Sequence, residues 1–205
     1  MKGINQAIAK ILPIILISAF MISCASIPQL RVRYQLPPQS DRLKGRKVFL
    51  VVEDGRPETV FVGNGAKDDF ENFPGTISLS IARQNESGLA IGLYDPSALI
   101  EEGFRRKLEN EGMELVSRQT LGEPELLIVL NEFLLDLVDR RWTAKMSYEA
   151  KLLKEGKVLA TRSVSGQAER FKFIGRNEAD RAVGEIFTDM INRLDVLDFF
   201  QSAGL

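Results

Sequence analysis

The side chains that most often carry out chemistry in proteins are scarce in this sequence. Its 205 residues include no histidine and a single cysteine, Cys24. Histidine is the commonest general base and metal ligand, so its absence excludes Ser-His-Asp and Cys-His mechanisms within this chain. We expect no metal site and no cofactor. Paired carboxylates could still hydrolyse a polymer, but no paired-acid motif is present, and we interpret the acidic residues as a solvated surface.

The chemistry left open to Cys24 depends on the segment before it. Lys2 and Lys10 precede the apolar run from Ile11 to Ile22. The run is shorter than the about 20 residues that span a bilayer, and its length and flanks are those of an export signal. Met21-Ile22-Ser23-Cys24 resembles the lipobox of bacterial lipoproteins, which implies that Cys24 is acylated and becomes the mature N-terminus. The alternative is a buried free thiol.

This interpretation divides the chain into a signal peptide (1–23), a lipidated N-terminus and tether (24–46) and a single domain (47–205). The acyl chains imply a membrane as one partner. In lipoproteins of bacteria with two membranes, an aspartate after the cysteine tends to mark inner-membrane retention. Ala25 therefore implies the outer membrane, facing the periplasm. The net charge of −1 gives no reason to expect nucleic acid as a partner.

Residues 25–46 carry three prolines, Pro28, Pro37 and Pro38, and no helical period. The segment is typical of an extended tether stiffened toward polyproline II. Its alternating stretch LRVRYQL allows a second interpretation, in which it forms an edge strand of the sheet.

The first half of the domain has one clear strand and one clear helix. The apolar run Val48–Val52 predicts a strand buried on both faces. The glycine-rich residues 54–94 predict only two weak strands, near Thr59–Val62 and Thr76–Ala82, and a stretch of this kind is usually functional or mobile. Asp95, followed by proline, predicts a capped helix that Gly112 closes. GMELV then predicts a short strand.

The second half predicts three long antiparallel strands and a helix. In RWTAKMSYEAKLLKEGK, Trp142 and the following even positions face one way. A two-residue turn at Glu155-Gly156 would set the even faces of the two hairpin strands on opposite sides. We therefore predict a three-residue loop pairing Leu152 with Val158 and Met146 with Val164. Asn177 predicts the N-cap of an amphipathic helix that lies across the sheet and continues to Leu197. The fold class is α+β, in two layers, with a mostly antiparallel sheet, a central helix and a long C-terminal helix.

One stretch carries a family resemblance. The predicted strand that begins at Val48 ends in the pattern Asp-x-Arg-Pro, formed by Asp54, Arg56 and Pro57. An apolar residue and a glycine, Val62 and Gly63, follow. This pattern resembles the YajG-type lipoproteins, and the lipobox, central helix, hairpin and C-terminal helix agree with it. The resemblance implies an envelope lipoprotein with no assigned catalytic activity.

Two groups of residues are candidate partner-binding sites. Asp54 and Arg56 either form a turn with a local ion pair, or Arg56 holds a carboxylate or phosphate of a partner. Arg140 and Arg141 lie beside Trp142, which is either a binding hot spot or part of the core. The acidic stretch Lys67–Phe73 lacks the spacing of a calcium loop, and we interpret it as solvated.

Three functions compete. The first is a non-catalytic binding or scaffold module of an envelope complex, which an exposed sheet edge or apolar groove would favour. The second is a carrier of lipid or a small ligand, which a pocket lined by phenylalanine and leucine would favour. The third is a carboxylate-based enzyme, which converging acidic residues would favour. The sequence favours the first.

Overall fold

The computed structural model describes residues 29–83, 86, 88–120 and 122–205. The predicted signal peptide and the lipidation residue Cys24 lie outside these residues. In chain order, the elements are β1 Leu30–Gln35, β2 Lys47–Asp54, β3 Ile77–Ala82, β4 Leu89–Tyr94, α1 Pro96–Asn110, β5 Glu114–Leu115, β6 Glu125–Val138, β7 Arg141–Lys154, β8 Lys157–Phe171, α2 Asn177–Arg193 and α3 Val196–Ser202. A short 3-10 helix covers Asn64–Ala66. The α+β class is confirmed.

The strands form two open sheets rather than one. The larger sheet has the order β5-β2-β6-β7-β8, and its long strands β6, β7 and β8 pair antiparallel while β2 pairs parallel with both β5 and β6. The inner face of β7 is fully buried from Trp142 to Leu152 at every second residue, as the alternation predicts. The prediction that β2 is buried on both faces is wrong, because only Val48 is fully buried.

The smaller sheet has the order β1-β3-β4, with β1 parallel to β3 and β3 antiparallel to β4. Leu30, Val32 and Tyr34 of β1 are completely buried. The tether interpretation is therefore wrong for residues 30–36, and the edge-strand alternative is confirmed. The reason is the period-two pattern of β1, which gives three large apolar side chains one common face.

Helix α1 begins as predicted. The Asp95 carboxylate accepts a hydrogen bond from the backbone N–H of Ala98 at 2.9 Å, and Gly112 takes a φ of +88° just past the helix end. Helix α1 crosses α2 closely at Gly103, because a Cβ built there would lie 2.6 Å from the ring of Phe187. Only a glycine allows this approach.

Helix α2 packs against β7 and β8 and beside β1. Two predictions about this part of the chain are wrong. Asn177 is the first helical residue, and Arg176 takes the N-cap position without a side-chain hydrogen bond. The helix also ends at Arg193, because Asp195 caps a separate helix, α3, by accepting from the N–H of Asp198 at 3.1 Å. None of the described helices is long and apolar enough to cross a membrane.

The β7–β8 hairpin corrects the predicted register. Its turn has two residues, Glu155 and Gly156, both with positive φ, and not the predicted three. Lys154 pairs with Lys157 and Leu153 with Val158, but Leu152 pairs with Ala160. The extra residue, Leu159, is a bulge that restores the common inner face. Tyr148, and not Met146, is therefore opposite Val164.

The first predicted weak strand does not form, since residues 59–62 make only an isolated bridge from Val62 to Leu135. The second corresponds to β3. Strand β4 was not predicted at all. It is the strand on which the candidate site is built.

Candidate functional site: the free edge of β4

The predicted site residues Asp54 and Arg56 form a closed structural pair. The Arg56 side chain is 4% exposed. Its Nε and Nη2 donate to the two carboxylate oxygens of Asp54 at 2.8 and 2.7 Å, and its Nη1 donates to the carbonyl of Phe133 at 3.4 Å. The hydrogen bond from Arg56 holds the pKa of Asp54 below its usual value. Arg56 thus fastens the end of β2 to β6.

The second predicted group lies at the β6–β7 turn. Arg140 has a φ of +62° in a two-residue turn with Asp139, and its carbonyl accepts from the N–H of Lys172 at 2.8 Å. The Arg141 guanidinium lies 4.9 Å from the ring centre of Phe171. Five strand residues, or about 17 Å, separate this turn from Phe133, so the structure does not bring the two predicted groups together.

Of the two interpretations of Trp142, the structure supports the core, because Trp142 is completely buried. The ring of Phe70 meets it edge-on with ring centres 5.8 Å apart, and the Lys172 ammonium lies 5.4 Å from the centre of its ring. Its indole N–H has no hydrogen-bond partner among the described residues.

Helix α2 closes the outer edge of β1. Four residues of α2 spaced by four face this edge: Asp180, Gly184, Thr188 and Asn192. The backbone N–H of Arg31 donates to Asp180 at 3.0 Å, and that of Gln35 donates to Thr188 at 3.2 Å. Asn192 donates to the carbonyl of Gln35 at 3.0 Å. Burial at this contact raises the pKa of Asp180.

Helix α2 lies close to β1 at Gly184. A Cβ built there would lie 3.4 Å from the backbone N of Arg33, an ordinary van der Waals contact, so the helix backbone runs alongside the strand. Side chains of a helix therefore take the place of a neighbouring strand, and β1 offers no free edge for pairing. The sequence signal for this contact is a polar stripe of small residues at intervals of four, beside the apolar stripe of α2.

The edge of β8 is also protected. Charged residues recur along this strand, including Lys157, Arg162 and Glu169, and charges on an edge discourage pairing with another chain. Arg193 of α2 donates to the carbonyl of Ser165 at 2.7 Å.

The edge of β4 is different. Its sequence, LAIGLY, has no charge and no proline, and every residue in it is at least partly exposed, with Leu89 at 73% and Leu93 at 58%. No side chain or loop among the described residues donates to or accepts from its outer backbone groups. A bulge interrupts the pairing of β4 with β3, because Gly92 pairs with Leu79 and Ala90 with Ser80, leaving Ile91 unpaired.

A groove of about 310 Å³ lies between the smaller sheet and α1, over the face of the sheet rather than beyond the free edge of β4. Its apolar residues are Leu36, Ile81, Leu89 and Ile91, and its polar rim is formed by Arg83, Glu86, Arg106, Glu109 and others. An extended segment added at the free edge of β4 would bond to its backbone and place alternate side chains on the two faces of the sheet. The edge of β4 is therefore the candidate site for strand addition.

An open cleft of about 580 Å³ lies elsewhere in the molecule, among residues 59–62, the loop 67–75 and the start of α1. Three phenylalanines line it, Phe61, Phe70 and Phe73, and two of them stack edge-on with ring centres 5.9 Å apart.

A buried cluster of charges joins α1 to the end of α2. Lys107 is 2% exposed, and its ammonium donates to the carbonyls of Ile191 at 3.1 Å, Asn192 at 3.2 Å and also Leu194. These carbonyls belong to the C-terminal end of a helix, where a positive charge is favourable. Burial lowers the pKa of Lys107 to about 8 and raises the pKa of Glu111, whose carboxylate lies 3.9 Å from the Lys107 ammonium. The role of this cluster is structural.

Within the described parts of the chain, no three Asp or Glu side chains gather closely enough to hold a metal ion. In the acidic stretch Lys67–Phe73, Asp69 forms an ion pair with Lys172 at 2.5 Å.

Comparison with solved structures gives the class of fold. A crystal structure of a Xanthomonas campestris protein of the family DUF330 matches with a TM-score of 0.54 at 14% identity, covering 87% of this chain and 99% of that one. At this identity the match shows a shared fold and nothing more. No family model matches this sequence, and no curated protein is significantly similar to it. The resemblance to YajG-type lipoproteins therefore stays a prediction.

Two further structures are named as lipoproteins. Rare lipoprotein B from Shewanella oneidensis matches at 9% identity with a TM-score of 0.45, covering 78% of this chain and 96% of that one. A minor lipoprotein from Acinetobacter baumannii matches at 10% identity with a TM-score of 0.41, covering 78% and 94%. Both scores are too low to support an argument about this chain.

Proposed function

We propose that this protein is a bacterial lipoprotein, anchored through Cys24, that binds an extended segment of an envelope protein at the edge of β4. The role is that of a non-catalytic binding or scaffold module. One observation carries the proposal: β4 is an uncharged, exposed edge strand, whereas the opposite edge of the same sheet is closed by α2.

Unprotected edges are rare because they template pairing with other chains. In this protein, side chains of α2 cover the edge of β1 and charged residues protect the edge of β8, whereas the edge of β4 is left open. Strand addition to a sheet edge is a recurring way of binding a peptide, in which main-chain hydrogen bonds give affinity and alternate side chains give specificity. The partner segment that fits is extended and mainly apolar, because β4 itself carries no charge.

The N-terminal sequence supports the location that we propose. The lipobox at Met21–Cys24 supports acylation, and Ala25 supports the outer membrane facing the periplasm. The Asp54-x-Arg56-Pro57 pattern supports a relationship to the YajG-type envelope lipoproteins. Nucleic acid is not proposed as a partner, because the chain is slightly acidic.

Crosslinking in intact envelopes tests the proposal. A photoreactive amino acid at Leu93 is expected to give a discrete adduct with one envelope protein, whereas the same amino acid at Ser163, exposed on β8, is expected to give none. A second labelling position tests the edge by mutation. With the photoreactive amino acid at Ala90, the substitution Leu93→Lys should abolish the adduct, whereas Ser163→Lys should leave it unchanged. Equal labelling from Leu93 and Ser163 would refute binding at β4.

A carrier of lipid or a small ligand is the second candidate, and the phenylalanine cleft is the observation that favours it. The cleft is open and lies among loops rather than between the sheet and a helix. The carrier function predicts that a lipid is recovered bound to the purified protein and that Phe73→Ser loses it. These two results, together with no adduct at Leu93, would favour the carrier over the binding module.

A further inference from the structure

One end of the molecule exposes a group of large apolar side chains that the proposed binding edge does not use. Four residues make up this group, which we call the apolar tip: Val138, Phe171, Phe173 and Ile174. Their exposed fractions are 53%, 60%, 73% and 101%. Large exposed apolar groups that form a patch mark a contact with another molecule or a membrane.

The register of the sheet holds part of the apolar tip together. Val138 pairs with Arg141 across β6–β7, and Arg141 pairs with Phe171 across β7–β8. Side chains directly opposite in adjacent strands share a face, so Val138, Arg141 and Phe171 form a row on the outer face at the end of the sheet. Phe173 and Ile174 follow immediately, between β8 and α2.

The N-terminal end of β1 lies at this same end of the molecule. The backbone N–H of Arg31 donates to Asp180 at 3.0 Å. Asp180 lies in the first turn of α2, which begins at Asn177, three residues after Ile174. The chain therefore enters the folded domain next to the apolar tip.

The length of chain before β1 fixes which end of the molecule faces the membrane. Leu30 lies six residues after Cys24, and a fully extended chain covers at most about 3.6 Å per residue, so the two are at most about 22 Å apart. Strand β7 alone, with 14 residues, is about 45 Å long. An anchor at Cys24 thus holds the tip end near the lipid and leaves the β7–β8 turn far from it.

The charges around the apolar tip suit a lipid surface. Arg140 and Arg141 are exposed beside it, next to Asp139 in the chain, and Arg141 forms an ion pair with Glu169 at 3.6 Å. Lys172 is neutralised by Asp69, and Arg176 lies over the ring of Phe70, with its guanidinium 5.7 Å from the ring centre. Arginine and aromatic side chains together favour the boundary between headgroups and acyl chains.

We propose that the apolar tip inserts into the bilayer surface next to the anchor, as a second contact that orients the domain. This proposal rests on lipidation at Cys24. The orientation points the β3–β4 hairpin away from the lipid, because β4 begins where β3 ends, and β3 runs parallel to β1 from the tip end. The binding edge of β4 is then accessible from the periplasmic space.

Fluorescence quenching by lipids tests the insertion. The acylated protein carries no free thiol, so a single cysteine introduced at Ile174 or at Lys157 accepts an environment-sensitive dye. Both proteins are reconstituted in vesicles of phosphatidylethanolamine and phosphatidylglycerol that contain a nitroxide-labelled lipid. We expect strong quenching and a blue shift for the dye at Ile174 and neither for the dye at Lys157.

Two controls separate this proposal from the anchor. Flotation of the vesicles reports anchoring by itself, so protein that does not float contradicts lipidation rather than insertion. Protein that floats but shows equal quenching at the two positions overturns insertion of the apolar tip. Replacing Val138 and Phe173 by serine should reduce the quenching at Ile174 while flotation stays unchanged.

Discussion

Replacing Lys107 by methionine is expected to lower the free energy of unfolding by about 3 kcal/mol, because removing one partner of a buried charge arrangement leaves the others unsatisfied. Methionine keeps most of the volume of the side chain but donates no hydrogen bond. The carbonyls of Ile191, Asn192 and Leu194 would lose their shared donor, and the buried carboxylate of Glu111 would lose its nearby cation. Denaturant unfolding measures the difference. Lys145→Met, at an exposed position of β7, is the matched control and should change stability by less than about 0.5 kcal/mol.

The pH dependence of unfolding distinguishes the charge of Lys107 from its packing. Burial lowers the pKa of Lys107 from 10.5 to about 8, so between these values the unfolded chain binds the proton more tightly than the folded chain. Stability therefore rises with pH across this window through Lys107. The free energy of unfolding of the unaltered protein should therefore exceed that of Lys107→Met by more near pH 10 than at pH 7. A constant difference would mean that Lys107 acts only by filling space.

Replacing Trp142 by alanine is expected to cost about 3–5 kcal/mol, as is usual for large aromatic residues in a core. Trp142 is completely buried, and its loss would leave a void beneath Phe70 and the ammonium of Lys172. The melting temperature and the urea midpoint report the loss.

The variant Trp142→Phe sharpens this prediction. It removes the indole N–H, which has no hydrogen-bond partner among the described residues, and an unsatisfied buried donor is itself costly. We expect Trp142→Phe to cost less than half as much as Trp142→Ala. A loss as large as that of alanine would show that the indole N–H is satisfied in solution.

The long hairpin was the most predictable part of the fold. Alternation from Trp142 to Leu152 identifies the buried face of β7, because burial on one face requires a period of two. The register could not be read correctly, since the two-residue turn at Glu155-Gly156 and the bulge at Leu159 compensate each other. The bulge shifts the phase of the alternation in β8, but only Lys157 and Val158 precede it, too few residues for the sequence pattern to reveal the shift.

The smaller sheet was the least predictable part. Two prolines after β1 suggested a tether, yet the burial of Leu30, Val32 and Tyr34 depends on β3, which is more than 40 residues away in sequence. Strand β4 lacks alternation because it is an edge exposed along its whole length. A half-buried face is what produces a period-two signal, so the strand that carries the candidate site is the one that sequence patterns detect least.

The predicted site residues illustrate the same limit. Asp-x-Arg-Pro is a noticeable pattern, but the pattern alone does not show whether Arg56 faces a partner or its own neighbour. The carbonyl of Phe133 and the carboxylate of Asp54 occupy its donors in the folded chain. Such contacts depend on β2 and β6 being adjacent, which follows only from the parallel pairing of the sheet.

The anchor at Cys24 is the claim on which both the proposed function and the membrane orientation depend. The intact mass of the protein, extracted with detergent from the envelope of its own host, tests it directly. We predict a mature chain that begins at Cys24 and carries the mass of its acyl chains, and a Cys24→Ser variant that keeps residues 1–23. A mature chain without acyl mass, or normal processing and membrane fractionation of Cys24→Ser, would contradict the account.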